Sequence, residues 1–387
     1  GGGAAGTGQG QGAMKVRSSD SAMSSVSFNA DLSCIVCAGP GGFGVFSTSP
    51  YMRLAWQATE EGGFNFAEMF ERTNMLLLVG SVVSPAGFSD SSVVLWDHNR
   101  AERVLEIALP SVITGLCCTV GTIVVALEYR VAIYSASRDL SSVSFERSVE
   151  TVHNPLGIAT VSPLGGERSS IACPGPRVGS VRVLVAKGEC AELVAPGRAG
   201  RGERLVEGAH KQPLSCLALN GDGSILASAS QAGTLVRLWA TSQTDSPTLL
   251  RELRRGTLEA DISHISFSRN SSLLSCSSDA GTVHLFSLEG GDQAAQQRGI
   301  AASVLASVQG GQRSFARYDL GVRDPSILCG VSGSRMLAVT SQGALHVVDI
   351  DADAPPEHRC SLASCSQLLL DGEEEWMVDS SSDSDDG

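Results

Sequence analysis

The residues best equipped for chemistry in this 387-residue chain are two adjacent arginines, Arg254 and Arg255, followed by Gly256. They end the apolar run Leu249–Leu253. On a strand, successive side chains point to opposite faces, so neighbouring guanidiniums serve two pockets rather than one. Each side offers suitable partners. His210, Ser228, Ser230, Gly233, Thr234 and Arg237 precede the pair, and Ser278, Gly281, Thr282 and His284 follow it. One forked guanidinium with hydroxyls, an imidazole and a Gly that admits close approach suits the oxygens of a phosphomonoester. The ordinary alternative is a solvated pair of charges on a sheet edge.

Other candidate motifs lead to structure rather than chemistry. Gly39–Gly44 spells the glycine pattern of a dinucleotide loop, but that loop must open a helix whose N–H groups face the pyrophosphate. Val45–Thr48 reads instead as a strand, which makes the glycines a hairpin turn. Cys34 and Cys37 have metal or redox spacing, yet no second pair completes a zinc site. They are expected as buried structural thiols. No nucleophile elbow, phosphate loop or convergent acid–base set is present, so neither catalytic nor metal-binding residues nor a cofactor is expected.

The surrounding texture is all β. Short β-branched runs such as Val93–Asp97, Ile123–Leu127, Val181–Val185 and Leu345–Asp349 alternate with turn residues, and helical periodicity is almost missing. Leu226–Trp239 and Leu274–Phe286 are near copies of strand, Ser-rich turn with Gly, and strand, with one extra residue in the first. Such units repeat at propeller-blade spacing. A doubly wound α/β fold would need helical runs that the chain lacks. The expected architecture is a seven-bladed β-propeller over 25–351. Residues 1–24 are expected to be a disordered N-terminal segment and 352–387 an acidic Ser-rich tail.

The net charge of −13 is concentrated. Twelve Asp or Glu and one Arg lie from Asp349 onward, whereas Arg198–Gly256 holds eight Lys or Arg against five acids. Global acidity speaks against nucleic acid but leaves room for a local anion site. The chain opens without a basic segment and long apolar run, and nowhere do 18 apolar residues run together, so a cytosolic compartment with reduced thiols is expected.

The chain resembles the PROPPIN (WIPI-type) propellers. The resemblance rests on Leu253–Gly256, where Leu253 stands in place of the commoner Phe, and on Ile265–Phe286. It extends through Arg72–Leu76, Val93–Asp97, Asn154–Gly157 and Ala172–Arg182, and so covers roughly residues 26–350 in order. It implies a non-enzymatic effector of phosphatidylinositol 3-phosphate or the 3,5-bisphosphate that recruits autophagy machinery. The first site would use Arg254 with His210, Ser228, Ser230, Thr234 and Arg237. The second would use Arg255 with Ser278, Thr282 and His284. A loop of the sixth blade, 289–312, would enter the bilayer through Ile300, Val304, Leu305 and Val308. The resemblance further implies autophagy proteins on the free blades and a monomer in solution. Its location would be peripheral, on phagophore, endosomal and vacuolar membranes. The competing expectation is a WD40-type protein scaffold that binds no lipid.

Overall fold

The computed structural model describes residues 14–15, 23–163, 169–186, 203–241, 247–289 and 311–368. Their strands form seven sheets arranged as the seven blades of a β-propeller, each built on four antiparallel strands taken in chain order. In blade 5, for example, Leu214–Leu219 is innermost, Ile225–Ser230 and Leu235–Ala240 form the central hairpin, and Thr248–Arg254 is outermost. Blade 6 repeats this with Ile262–Phe267, Leu273–Ser278, Thr282–Ser287 and Ala316–Asp319. The two near-identical stretches seen in the sequence are the central hairpins of these neighbours. The described residues contain no helix beyond the 3₁₀ turn Pro356–His358.

Alternation along the strands sets what lies in each seam between blades. Ala227, Ala229, Val236 and Leu253 of blade 5 join Leu274, Cys276 and Phe286 of blade 6 in one buried cluster. The opposite face of blade 5, with Leu226 and Trp239, packs on Val181, Val183 and Val206 of blade 4. Cys34 and Cys37 follow the same rule. Cys34 joins the cluster shared with blade 2 and Cys37 the cluster shared with blade 7. Facing opposite ways, they cannot share a metal, and burial pushes the Cys37 thiol up to about 12. The Gly39–Gly44 motif is the turn expected, with Gly39 paired to Gly42 across Pro40 and Gly41.

Three expected boundaries move. Met14 and Lys15, assigned to a disordered N-terminal segment, pair with Val26 and Ser25. Cys360–Gln367, assigned to the acidic tail, is the outermost strand of blade 7. Gln312 and Arg313, at the end of the expected loop, add a short parallel strand to the rim of blade 5 beside Leu253 and Arg254. All three lie on sheet edges, where backbone pairing supplies the order and the apolar signal is weak.

Candidate functional site

The arginine pair sits where the outermost strand of blade 5 ends. Leu253 faces blade 6 with its cluster, so alternation turns Arg254 toward blade 4 and Arg255 toward blade 6. The Arg255 backbone continues the ladder by donating to Thr234 O (3.0 Å). Its side chain is clamped by carbonyls: Nε donates to Gly233 O (2.6 Å) and Nη2 donates to Leu258 O. Gly233 and Thr234 thus contribute backbone oxygens to the site. Gly233 adopts φ +61°, and a Cβ there would lie 1.6 Å from Ala260 O, so only glycine lets the following connector close over this turn.

Of the residues expected on the blade 6 side, His284 lies within electrostatic reach of Arg255. Ser278, Thr282 and His284 are all buried. Ser278 Oγ and Thr282 Oγ1 lie 3.4 Å apart, and His284 Nδ1 shares a hydrogen bond of 3.1 Å with Ser314 Oγ. Burial, with Arg255 and Arg317 nearby, pushes His284 down to about 4, leaving it neutral at pH 7. Burial likewise lowers Arg255, which is 9% exposed. Among the described residues no carboxylate lies within ion-pair distance of it.

Arg317 is the residue that sequence reasoning missed. It lies opposite His284 on the outer strand of blade 6 and is held by Asp319 at 2.8 Å. Its register depends on where the chain returns after the long connection from Ser287, and no local pattern reveals that. The return also places Arg313 beside Arg254.

On the blade 4 side, the expected residues form a more self-contained set. The Trp239 indole donates to Ser228 Oγ (2.9 Å), and Ser228 shares a 2.9 Å hydrogen bond with His210 Nε2. Burial, then the Arg237 charge, pushes His210 down to about 4. Arg237 Nε donates to Glu252 Oε1 (2.8 Å) and Nη1 to Ala209 O (2.6 Å). Ser230 is buried in the same wall, and Arg254 is half-buried on this face one row further along from Glu252. Gly256 has open space around it, with no atom within 4 Å of a Cβ built there. Ile300, Val304, Leu305 and Val308 lie outside the described residues.

The repeat itself shows that the fold does not need an arginine at 255. In five other blades the residue just past the outer strand makes the same backbone bond as Arg255. These residues are Thr59, Leu109, Thr151, Leu320 and Leu368, with N···O distances of 2.8–3.1 Å. All are neutral. Blade 6 carries Asp319-Leu320-Gly321 where blade 5 carries Arg254-Arg255-Gly256, and Leu320 is as buried as Arg255. A desolvated cation with no carboxylate in ion-pair contact, only Asp279 acting on it from further off, costs stability at a position that accepts leucine and points to a ligand.

Fold and site together define a seven-bladed β-propeller with a cationic, hydroxyl-lined seam on either side of one blade. The sequence profile described as PROPPIN matches residues 22–311. The chain belongs to the PROPPIN family. Autophagy-related protein 18 of Yarrowia lipolytica is 30% identical over 277 residues, covering 69% of this chain and 66% of that protein. Autophagy-related protein 18e of Arabidopsis thaliana is 28% identical over 331 residues, covering 82% and 83%. Among solved structures, Kluyveromyces lactis Hsv2 superposes with a TM-score of 0.68 at 19% identity, covering 89% of this chain and 98% of that one. The complex of KlAtg21 with the coiled-coil of AgAtg16 gives 0.68 at 17% identity, covering 92% and 100%. At such identities these structures speak for the fold alone.

Proposed function

We propose that this chain is a non-enzymatic phosphoinositide effector that binds phosphatidylinositol 3-phosphate or the 3,5-bisphosphate at two adjacent sites and recruits autophagy machinery to membranes. The observation that carries this reading is Arg255, a buried guanidinium at a position where five sibling blades hold Thr or Leu. Two of its N–H groups hold carbonyls, and the fork has five in all, so donors remain for phosphate oxygens. Ser278, Thr282 and His284 form the wall behind it, and Arg317 adds a second cation at the mouth. In the blade 4 seam, Arg254 and Arg237 supply the charge, while Glu252 neutralises part of it.

Exposed headgroup contacts are screened and weak. Two sites on one rigid blade edge make the second engagement intramolecular, which raises avidity by roughly 100-fold or more. With blade 5 turned to the bilayer, the remaining blades are free for protein partners, in keeping with the coiled-coil complex of a structural relative. The membranes in question are those of the phagophore and the endolysosomal system, reached from the cytosol.

The test combines Arg254→Thr with Arg255→Leu, residues of the kind that sibling blades carry. The variant is expected to lose sedimentation with vesicles containing either lipid while its melting temperature shifts by no more than a few degrees. Retained vesicle binding by the folded variant rejects the site. Binding by neither native chain nor variant favours a propeller that serves only as a protein scaffold.

A further inference from the structure

Leu258 stands on the connector between blades 5 and 6 and is 80% exposed. A lone exposed leucine is ordinary on a protein surface. This one is set apart by its attachment: its own carbonyl accepts the hydrogen bond from Arg255 Nη2. The connector is also fixed at its far end, because Ala260 O seats directly against Gly233. The apolar side chain is therefore held on a fixed piece of backbone within one hydrogen bond of the guanidinium assigned to the headgroup. Between them, Gly256 leaves open space.

We propose that Leu258 is a bilayer-contacting wedge, coupled to the Arg255 pocket so that headgroup capture and apolar insertion are one event. This rests on the reading of Arg255 as a headgroup ligand. The occupant is a lipid surface because a headgroup on Arg255 fixes where its acyl chains start, and the membrane plane then passes beside the residue tethered to that arginine. The next connector repeats the arrangement. Val322 is 58% exposed, and its carbonyl abuts Gly281 as that of Ala260 abuts Gly233. In an antiparallel four-stranded blade every connector from outer to inner strand emerges at the same end, so Leu258 and Val322 flank the Ser278–Thr282 turn on one face. Glu259, also exposed, opposes anionic surfaces in general, so the wedge engages only where the headgroup has been captured.

The experiment compares the native chain, Leu258→Glu and Leu258→Trp on neutral phosphatidylcholine vesicles doped with phosphatidylinositol 3-phosphate, and measures soluble inositol 1,3-bisphosphate in parallel. Because the Arg255 contact uses the backbone carbonyl, the side-chain change leaves it in place. Leu258→Glu is expected to weaken vesicle binding by about tenfold or more, the scale of one buried leucine, with unchanged affinity for the soluble headgroup. The tryptophan of Leu258→Trp should shift to the blue with doped vesicles and stay unshifted with undoped ones. Val82→Glu, at a side chain 87% exposed on blade 2, should behave as native. Vesicle binding by Leu258→Glu equal to native overturns the wedge alone. A native chain that binds neither vesicle nor headgroup overturns the lipid reading and the wedge with it.

Discussion

At the scale of single residues, the seams store three histidines that the folded chain keeps neutral. His210, His264 and His284 are each pushed from an ordinary 6.5 down to about 4, burial being the leading cause in all three. For His264 the cost of protonation is compounded by its role as acceptor, since Nδ1 receives the Cys329 backbone N–H at 3.3 Å. A depressed folded-state value means that the unfolded chain binds protons first on acidification. The stability these groups contribute is therefore whole above about 6.5 and drains as pH falls toward 4. At pH 5 each shift corresponds to about 2 kcal/mol. Urea unfolding at pH 7 and pH 5 should show a drop of several kcal/mol, and His264→Gln should flatten it by removing one of the three contributions. An unfolding free energy that stays level across that interval would contradict the buried, neutral state of these rings.

At the scale of elements, the hairpin turn of blade 5 does two jobs. Gly233 receives the Ala260 carbonyl against its missing side chain, and its own carbonyl receives Arg255. Gly233→Ala must push the connector outward and strain a left-handed backbone at once, which costs on the order of 1–3 kcal/mol. It is expected to weaken soluble-headgroup binding although it removes no polar side chain, whereas Gly256→Ala, in open space, should melt as native. Equal headgroup affinity in Gly233→Ala and the native chain would separate the turn from the site. This hairpin was legible in the sequence because Leu226–Trp239 and Leu274–Phe286 repeat one pattern, and Leu253 and Arg255, two residues apart, share the blade 6 side as alternation requires. Arg317 was not legible. Its partner His284 precedes the long connection, and pairing across such a gap is fixed by three-dimensional register rather than by any local period. The Ser228–Trp239 bond was equally hidden, because an indole reads as core until its N–H is seen to need an acceptor.

At the scale of the whole molecule, the described strands close the ring without an exchange between its ends, since the first sheet holds only the first strands and the last sheet only the last four. Closure falls instead to apolar packing between the first and last blades. Met23, Val26, Phe28, Leu32 and Phe46 share one buried cluster with Leu328, Leu345 and Leu368, and Tyr51 Oη donates to Gln367 O at 2.6 Å. Gly330 admits Leu32, whose methyls lie 2.9 Å from where a Cβ would stand. Two of these closing contacts, Gln367 and Leu368, belong to a segment whose sequence reads as a polar exit from the domain. Cys360–Gln367 is mostly exposed, so it lacks an alternating apolar signal; its order comes from ladder bonds to Ala344–Ile350. Cutting the chain after Asp351 removes that strand together with Leu368, while a cut after Leu368 keeps both. Burial of Leu368 alone is worth about 1.5–3 kcal/mol, and the unpaired edge of Ala344–Ile350 adds to the loss. The shorter protein is therefore expected to melt well below the longer one and to expose the blade 1–7 seam to a hydrophobic dye. Coincident melting of the two truncations would show that the ring holds shut without its last strand.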